Sequence, residues 1–462
     1  MKKKPQRPTL LSSLSVLFFL LTVSCRPDVP DLTLPSPGQV DYQRMEMVGF
    51  IHFGMNTFYD KEWGYGDEDP ARFNPSDLDA EQWVLAAKAA GMKELILTAK
   101  HHDGFCLWPS AYTEHSVKNS PFRNGQGDLV REFAEACRKH GLEVGLYLSP
   151  WDRNHAGYGT PAYIEYYRNQ LRELLTGYGE ISEIWFDGAN GGDGYYGGAR
   201  TERRVDKETY YDWPATMALA KELQPGVRIF SDAGPDIRWV GNEHGFAGET
   251  FWSTIDKGDL VIGASDSDYL NRGEAGGPDW ILGQCDVSIR PGWFYHTAQD
   301  SLVKTTAQLL DIYHKSVGRN AVLLLNLPPD PRGLIHETDV ARLTEFREQL
   351  DRMYGEDLAR NGEFSDKTRG EASWTYLLSL DEARSFDRIV LAEDIASGQR
   401  VSAFRVETEQ ENGEWARLVS GTTIGYKRIL TFPPVSSRLL RITVDSALAA
   451  PALLPPQLYL AE

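Results

Sequence analysis

The feature that most restricts this chain is an alternation: short apolar, β-prone runs are separated by longer amphipathic helical runs from about residue 47 to residue 353. Runs at 47–53, 94–99, 143–148, 183–186, 228–231 and 321–325 read as strands, and two weaker ones are expected near 249–253 and 292–295. Helical periodicity fills 79–90, 128–140, 161–178, 210–223 and 336–353. Strand–helix repeats force parallel pairing, because a parallel neighbour needs a crossover long enough to hold a helix. Eight such units closing on themselves give an α/β fold, a (β/α)8-like, TIM-type barrel, with its site where the strands end. An open doubly wound sheet is the rival, and it fails for want of a Gly-rich phosphate loop after an early strand. The barrel is expected over 38–354. Beyond it the helical period stops, and short alternating runs at 374–380, 386–393, 401–408, 415–421, 426–431 and 437–444 predict a β-sandwich over 355–462.

Residues 1–25 are a different kind of segment. Lys2, Lys3, Lys4 and Arg7 make a basic head, and the apolar stretch 10–24 is shorter than the roughly 20 residues that span a bilayer, which predicts a signal peptide. It ends in Leu21-Thr22-Val23-Ser24-Cys25, which resembles a bacterial lipobox, with Thr22 in place of the usual aliphatic residue. The expectation is export to the periplasm or cell surface, a lipidated Cys25 and a tether over 26–37, with membrane contact through that anchor alone. The remaining Cys106, Cys137 and Cys285 have no CxxC spacing, so neither a disulfide framework nor a zinc site is predicted. A formal net charge of -18 argues against a nucleic-acid partner, since phosphate binding needs a basic stripe.

Polar side chains gather where the strands end: His52 after the first, His101, His102 and Asp103 after the second, Tyr147 in the third, Trp185 and Asp187 at the fourth, and Glu243 in what reads as the loop after the fifth. Burying so many polar groups without partners would cost about 1–3 kcal/mol each, so convergence on one pocket is the cheaper reading. A metal site at His101-His102 is disfavoured, because adjacent strand residues point to opposite faces and no HExxH is present. No GxSxG elbow supports a serine hydrolase. No metal and no cofactor are called for. What remains is a pair of carboxylates among aromatic rings and imidazoles, the set that glycoside hydrolysis requires.

Phe50-Ile51-His52-Phe53-Gly54, Glu62-Trp63, Lys100-His101-His102-Asp103-Gly104-Phe105, Trp185-Phe186-Asp187-Gly188 and Leu325-Asn326-Leu327-Pro328-Pro329 resemble, in this order, the motifs of the α-L-fucosidases of glycoside hydrolase family 29. The resemblance implies a retaining exo-fucosidase with Asp187 as the nucleophile that forms a covalent fucosyl ester. The segment from Ser231-Asp232-Ala233-Gly234-Pro235-Asp236 to Gly241-Asn242-Glu243 resembles one branch of that family, which makes Glu243 the acid/base and Glu249 the runner-up. His52, Glu62, Trp63, His101, His102, Tyr147, Trp185 and Trp293 are the expected fucose contacts. That branch favours α-1,3 and α-1,4 linkages in branched Lewis-type glycans, so the expected partners are fucosylated oligosaccharides or glycoconjugates. Residues 190–200 and the charged run 201–207 depart from the family as an insertion after the nucleophile. The terminal sandwich resembles carbohydrate-binding modules, with a propping role preferred. For a retaining route the carboxyls should stand about 5–5.5 Å apart, with the charge on Asp187 keeping the proton on Glu243. Two other readings stay open: a fucose-binding lectin-like protein with an inactive barrel, and a barrel hydrolase for another sugar such as an α-galactoside.

Overall fold

In the computed structural model, which describes Met1 and residues 32–369, 373–410 and 412–461, eight parallel strands close on themselves. They are β1 Met47–Ile51, β2 Glu94–Lys100, β3 Glu143–Leu148, β4 Glu183–Trp185, β5 Arg228–Ser231, β6 Ile237–Trp239, β7 Leu282–Ser288 and β8 Val322–Asn326. Each pairs with the next in sequence, and β8 returns to β1 with Phe50 opposite Asn326. Both faces of such strands are buried, which is why they read as apolar runs. Val48, Phe50, Ile96, Tyr147, Trp185, Phe230, Ile237 and Leu324 fill the barrel interior. Leu95, Leu97, Val144, Leu146, Ile184 and Leu323 point out, into the larger core they share with the helices.

The longer helices are α1 Pro37–Met45, α2 Ala80–Ala89, α3 Leu129–His140, α4 Pro161–Gly177, α5 Trp213–Leu223, α6 Thr306–Lys315 and α7 Glu337–Tyr354. Their ends follow capping chemistry: Asp79 accepts from the N–H groups of Glu81 and Gln82, and Asp128 from that of Arg131. Gly141 closes α3 at φ 74°, a left-handed position that glycine adopts at little cost. On α3, Leu129, Val130 and Phe133 are buried against the barrel, each worth about 1.5–3 kcal/mol of burial. α1 sets Tyr42 into the barrel interior.

The sixth and seventh strands are not where the sequence placed them. Residues 249–253 and 292–295 are loop, and the strands are β6 and β7 instead. β6 has three residues and follows β5 without a helix between them, too short a run to carry a period. β7 turns Gln284, Asp286 and Ser288 to one side and Cys285 and Val287 to the apolar outside, so its polar inner face hides it from an apolar search. The Glu243 loop therefore follows the sixth strand, not the fifth.

The C-terminal residues form an antiparallel sheet of β9 Glu363–Arg369, β10 Trp374–Leu391, β11 Val401–Glu409, β12 Trp415–Gly421, β13 Arg428–Ala447 and β14 Gln457–Tyr459. Four of the short strands expected here are halves of two long ones, β10 and β13. Their pairing shifts register between Ser379 and Arg384 and between Phe386 and Arg388, which bends them over a core of Leu378, Phe386, Phe404, Leu440 and Ile442. Cys106, Cys137 and Cys285 are free and buried. The expected leader, Cys25 and tether residues 26–31 lie outside the described residues, whereas Thr33 already donates to the Gly277 carbonyl (2.6 Å).

Candidate active site

All ten residues expected at the site line one cavity of about 190 Å³ at the C-terminal ends of the strands, with Phe50, Ala189 and Asp286 between them. They arrive from separate elements: His52 beyond β1, Glu62 and Trp63 from the loop after it, His101 and His102 beyond β2, Tyr147 in β3, and Trp185 and Asp187 at the end of β4. Phe50, Tyr147 and Trp185 pack as tilted or stacked rings beneath them. Trp63 stands edge-on to His102 and Trp151 and is 53% exposed, an apolar wall open to solvent.

Neighbouring side chains fix the three imidazoles. The Asn326 amide donates to Ser288 Oγ (2.9 Å) and to the Trp293 carbonyl (2.8 Å), so its oxygen faces His52 and accepts from Nδ1 (2.8 Å). Ser149 donates to the Trp151 carbonyl (2.7 Å) and therefore accepts from His102 Nδ1 (2.7 Å). Nε2 of His52 and of His102 is then a hydrogen-bond acceptor. His101 is the reverse: its Nδ1 accepts from Asn56 Nδ2 (3.3 Å), which leaves the proton on Nε2. Burial holds His52 and His102 down to about 3 and His101 well below its usual value, so all three are neutral near pH 7. Two acceptors and one donor, none charged, is a set that reads sugar hydroxyls.

Asp187 is held by both oxygens. Oδ2 accepts from the Tyr147 hydroxyl (2.8 Å) and Oδ1 from the Ala189 N–H (2.6 Å), while His102 Nε2 stands off at 3.9 Å. Burial raises its carboxyl above the usual range, and those two donors oppose the rise. Across the cavity Glu243 Oε2 accepts from the Trp293 indole (3.2 Å), but its side chain is exposed, so this rim is wet rather than dry. Glu62 accepts from the Trp293 N–H (2.9 Å) and pairs with His296 (2.6 Å). His296 is pulled down by burial, but the carboxylates of Asp60 and Glu62 outweigh this and raise it.

Three features were missed or misjudged by sequence reading. Asp286 lines the cavity from β7, and the polar alternation of Gln284, Asp286 and Ser288 was the signal for it. Asp232, quoted in a motif but given no role, packs on Gly188, the residue after Asp187: a Cβ there would sit 1.9 Å from its Oδ2. Glu249, the runner-up acid, is not in the cavity wall. It pairs with Arg319 and with Arg428 (2.6 Å), at the junction with the C-terminal sheet. Lys100, which heads the motif of His101 and His102, is not in the cavity wall and binds Asp152 (3.3 Å) and Gln170 (2.9 Å) beneath α4.

A second cavity of about 420 Å³ shares Trp185, Asp187, Ala189, Glu243 and Asp286 with the first and extends to Asn190, Lys207, Asp232 and Ser265. Asn190 and Lys207 belong to the segment expected as an insertion, whose ribbon of Gly192–Gly194 and Thr201–Arg203 is tied down by Asp193 on Arg153 (2.8 Å). Among the described residues no cluster of His, Cys, Asp and Glu is arranged to hold a metal ion.

The model of the α-L-fucosidase family matches residues 40–356. Alpha-L-fucosidase 1 of Arabidopsis thaliana is 45% identical over 460 residues, covering 93% of this chain and 88% of its own length. A crystal structure of a glycoside hydrolase 29 family member from an unknown rumen bacterium is similar with a TM-score of 0.88 at 48% identity, over 94% of this chain and 78% of that one. A glycoside hydrolase 29 fucosidase of Ruminococcus gnavus, solved in complex with fucose, gives a TM-score of 0.82 at 32% identity, over 93% of this chain and 95% of that one.

Proposed function

The chain belongs to the α-L-fucosidase family and is a glycoside hydrolase, and from that premise we propose that it removes terminal α-1,3- or α-1,4-linked fucose from branched glycans, with Asp187 as nucleophile and Glu243 as acid/base. The observation that supports this reading is that both carboxyls open on one small cavity walled by neutral imidazoles and aromatic rings.

In the first half-reaction an Asp187 oxygen bonds to C1 as the C1–O bond to the leaving sugar breaks, and the Glu243 proton goes to the departing oxygen. In the second, Glu243 takes a proton from water, the water oxygen bonds to C1, and the ester to Asp187 breaks. The Tyr147 and Ala189 donors serve two ends. They favour the ionised form that attacks, and they hold both oxygens at a fixed orientation. The imidazoles select the ring hydroxyls, and a sugar that left them unpaired would be rejected. L-fucose has a methyl where hexoses carry a hydroxymethyl, and Trp63, Trp185 and Trp293 are the apolar surfaces for it.

The linkage preference draws its support from the second cavity, which gives a branched leaving group room beside the same two carboxyls. The test is product analysis by NMR on Lewis-type trisaccharides, an α-1,2-fucosylated sugar and an aryl fucoside. α-Fucose released first, and faster cleavage of the branched substrates, is the expected outcome. β-Fucose released first would refute the double displacement, and preferred cleavage of the α-1,2 sugar would refute the linkage.

A further inference from the structure

Two carboxyls suffice for the proposed reaction, yet the two joined cavities are lined by five: Asp187, Glu243, Asp286, Asp232 and Glu62, the last of which is paired with His296. Asp286 is the one whose surroundings have no use for a negative charge. It projects from β7, is 5% exposed and lines both cavities. Its Oδ1 accepts from the Trp239 indole (2.9 Å), and among the described residues no lysine, arginine or histidine forms an ion pair with it. The charged groups that face it are themselves acids, Glu243 from the loop after β6 and Asp232 from the loop after β5. The other residues on its face of β7, Gln284 and Ser288, are neutral. Lys207, which lines the second cavity, acts on Asp232 and donates to the Gly263 carbonyl (2.6 Å).

We propose that Asp286 is a positioning residue for the reaction and works as the neutral acid, so that the pocket carries its negative charge on Asp187 while Glu243 delivers and recovers its proton. The inference rests on Glu243 as the acid/base. A charged Asp286 would stand beside Glu243 with nothing to offset it. It would hold the Glu243 proton too tightly for the leaving group to take, and it would repel the carboxylate that forms when the proton departs. The neutral acid avoids both effects and still accepts the Trp239 N–H. The electrostatics agree with the geometry: burial, then Glu243, raise the Asp286 carboxyl well above its usual value, and burial, then Asp187, bring Asp232 to about 7. Asp187 thus acts on Asp232, and Glu243 on Asp286.

Asp286→Asn keeps the acceptor for Trp239 and fixes the neutral state, whereas Asp286→Ala is equally uncharged but removes the acceptor. In the infrared difference spectrum between wild type and Asp286→Asn at neutral pH, the band lost should be that of a protonated carboxyl. Loss of an ionised carboxylate band overturns the proposal. In the pH profile of kcat/KM on a natural glycan, both variants should shift the wild-type fall on the alkaline side to the position that Glu243 alone imposes, and Asp286→Ala should in addition lower the whole profile by about tenfold or more. A purely structural residue would give two profiles of wild-type shape, scaled down at every pH, and that result also overturns it. Glu243→Ala is measured beside them on the glycan and on an aryl fucoside. If the dependence on leaving group appears with Asp286→Ala and not with Glu243→Ala, Asp286 is itself the proton donor and it is the acid/base assignment that has failed.

Discussion

The two halves of the barrel carry Asp187 and Glu243, the proposed nucleophile and acid/base, in different ways. From β1 to β4 each strand is followed by its helix, and the polar tips are buried and hydrogen-bonded to fixed neighbours: His52 to Asn326, His102 to Ser149, Asp187 to Tyr147. From β5 to β7 the helices give way. β5 runs into β6 through a tight turn, and the segment 240–281 between β6 and β7 has one short helix, Ser267–Arg272. Glu243 lies in that segment, exposed, and among the described residues one indole, that of Trp293, is its hydrogen-bond donor. The nucleophile half is built like a core, and the acid/base half like a set of loops that need support from elsewhere. A nucleophile must meet one carbon along one line, which rewards rigidity. An acid/base serves first a leaving sugar and then a water, which rewards access.

The largest effect that separates the halves is the dependence on leaving group. Asp187→Ala should lower kcat by at least about three orders of magnitude on aryl fucosides and natural glycans alike, because no substrate escapes the need for a nucleophile. Glu243→Ala should cost natural glycans about 10²–10⁴-fold, but the first step on an activated aryl fucoside much less, since a good leaving group needs little protonation. Steady-state and burst kinetics on both substrate classes measure this. Equal losses in the Glu243 variant would erase the distinction drawn here.

The same contrast decided what the sequence made legible. Strands 47–53, 94–99, 143–148 and 183–186 were readable because a covering helix demands an apolar outer face and a packed interior demands an apolar inner one. β6 and β7 were misplaced for the opposite reason. β6 is too short to show a period, and Gln284, Asp286 and Ser288 face a site rather than a core. The site residues on the regular half followed from their place at strand tips. Glu62 and Trp63 rested on motif resemblance alone, since nothing in the spacing of a loop says which way its side chains turn, and Trp293 lay outside the motifs. Asp286 was lost together with its strand.

A smaller effect belongs to the nucleophile half and its neutral imidazoles. His52 and His102 are held near 3 by burial, against about 6.5 when unfolded. Their contribution to stability is therefore complete above about pH 6.5 and is lost as the pH falls from there toward 3, at roughly 1.4 kcal/mol per pH unit for each ring. Asp103, raised to about 7 mainly by burial, acts with the opposite sign between 7 and 4, so the net loss is smaller than the rings alone would give. The difference between wild type and His52→Gln isolates the ring: the gap in urea midpoint at pH 7 should shift in favour of the variant as the pH is lowered to 5. A gap that does not change with pH would mean that His52 is not buried in the neutral form.

The smallest effect concerns how the acid/base half is held. Segment 247–253, which follows the Glu243 loop, is gripped by the C-terminal sheet and its connections. Arg428 donates to the Glu249 carbonyl (2.9 Å) and to its carboxylate (2.6 Å), Thr423 accepts from the Phe251 N–H (2.9 Å), and Gln399 bonds both the Phe251 carbonyl and the Ser253 N–H (2.8 Å each). Arg319 adds a bond to the Ala247 carbonyl (2.8 Å), and Asn242 bonds the Phe246 carbonyl (2.9 Å), which carries the grip back to the residue before Glu243. Because the Glu249 side chain is 68% exposed, its ion pair to Arg428 is worth little, about 1 kcal/mol or less. The Arg428 guanidinium itself is 5% exposed, and the bond to the Glu249 carbonyl is the larger part. Arg428→Ala should therefore lower stability by about 1–2 kcal/mol. It should also reduce kcat on natural glycans by about tenfold or less, while leaving aryl fucoside turnover nearly intact, because what loosens is the placement of a proton donor and not of the nucleophile. Arg428→Lys keeps the charge but cannot bond carbonyl and carboxylate together in the same fork, so it should restore the ion pair without restoring the glycan rate. If both substrates slow together, the sheet supports the whole barrel rather than its acid/base side, and the two halves are less separate than their hydrogen bonds indicate.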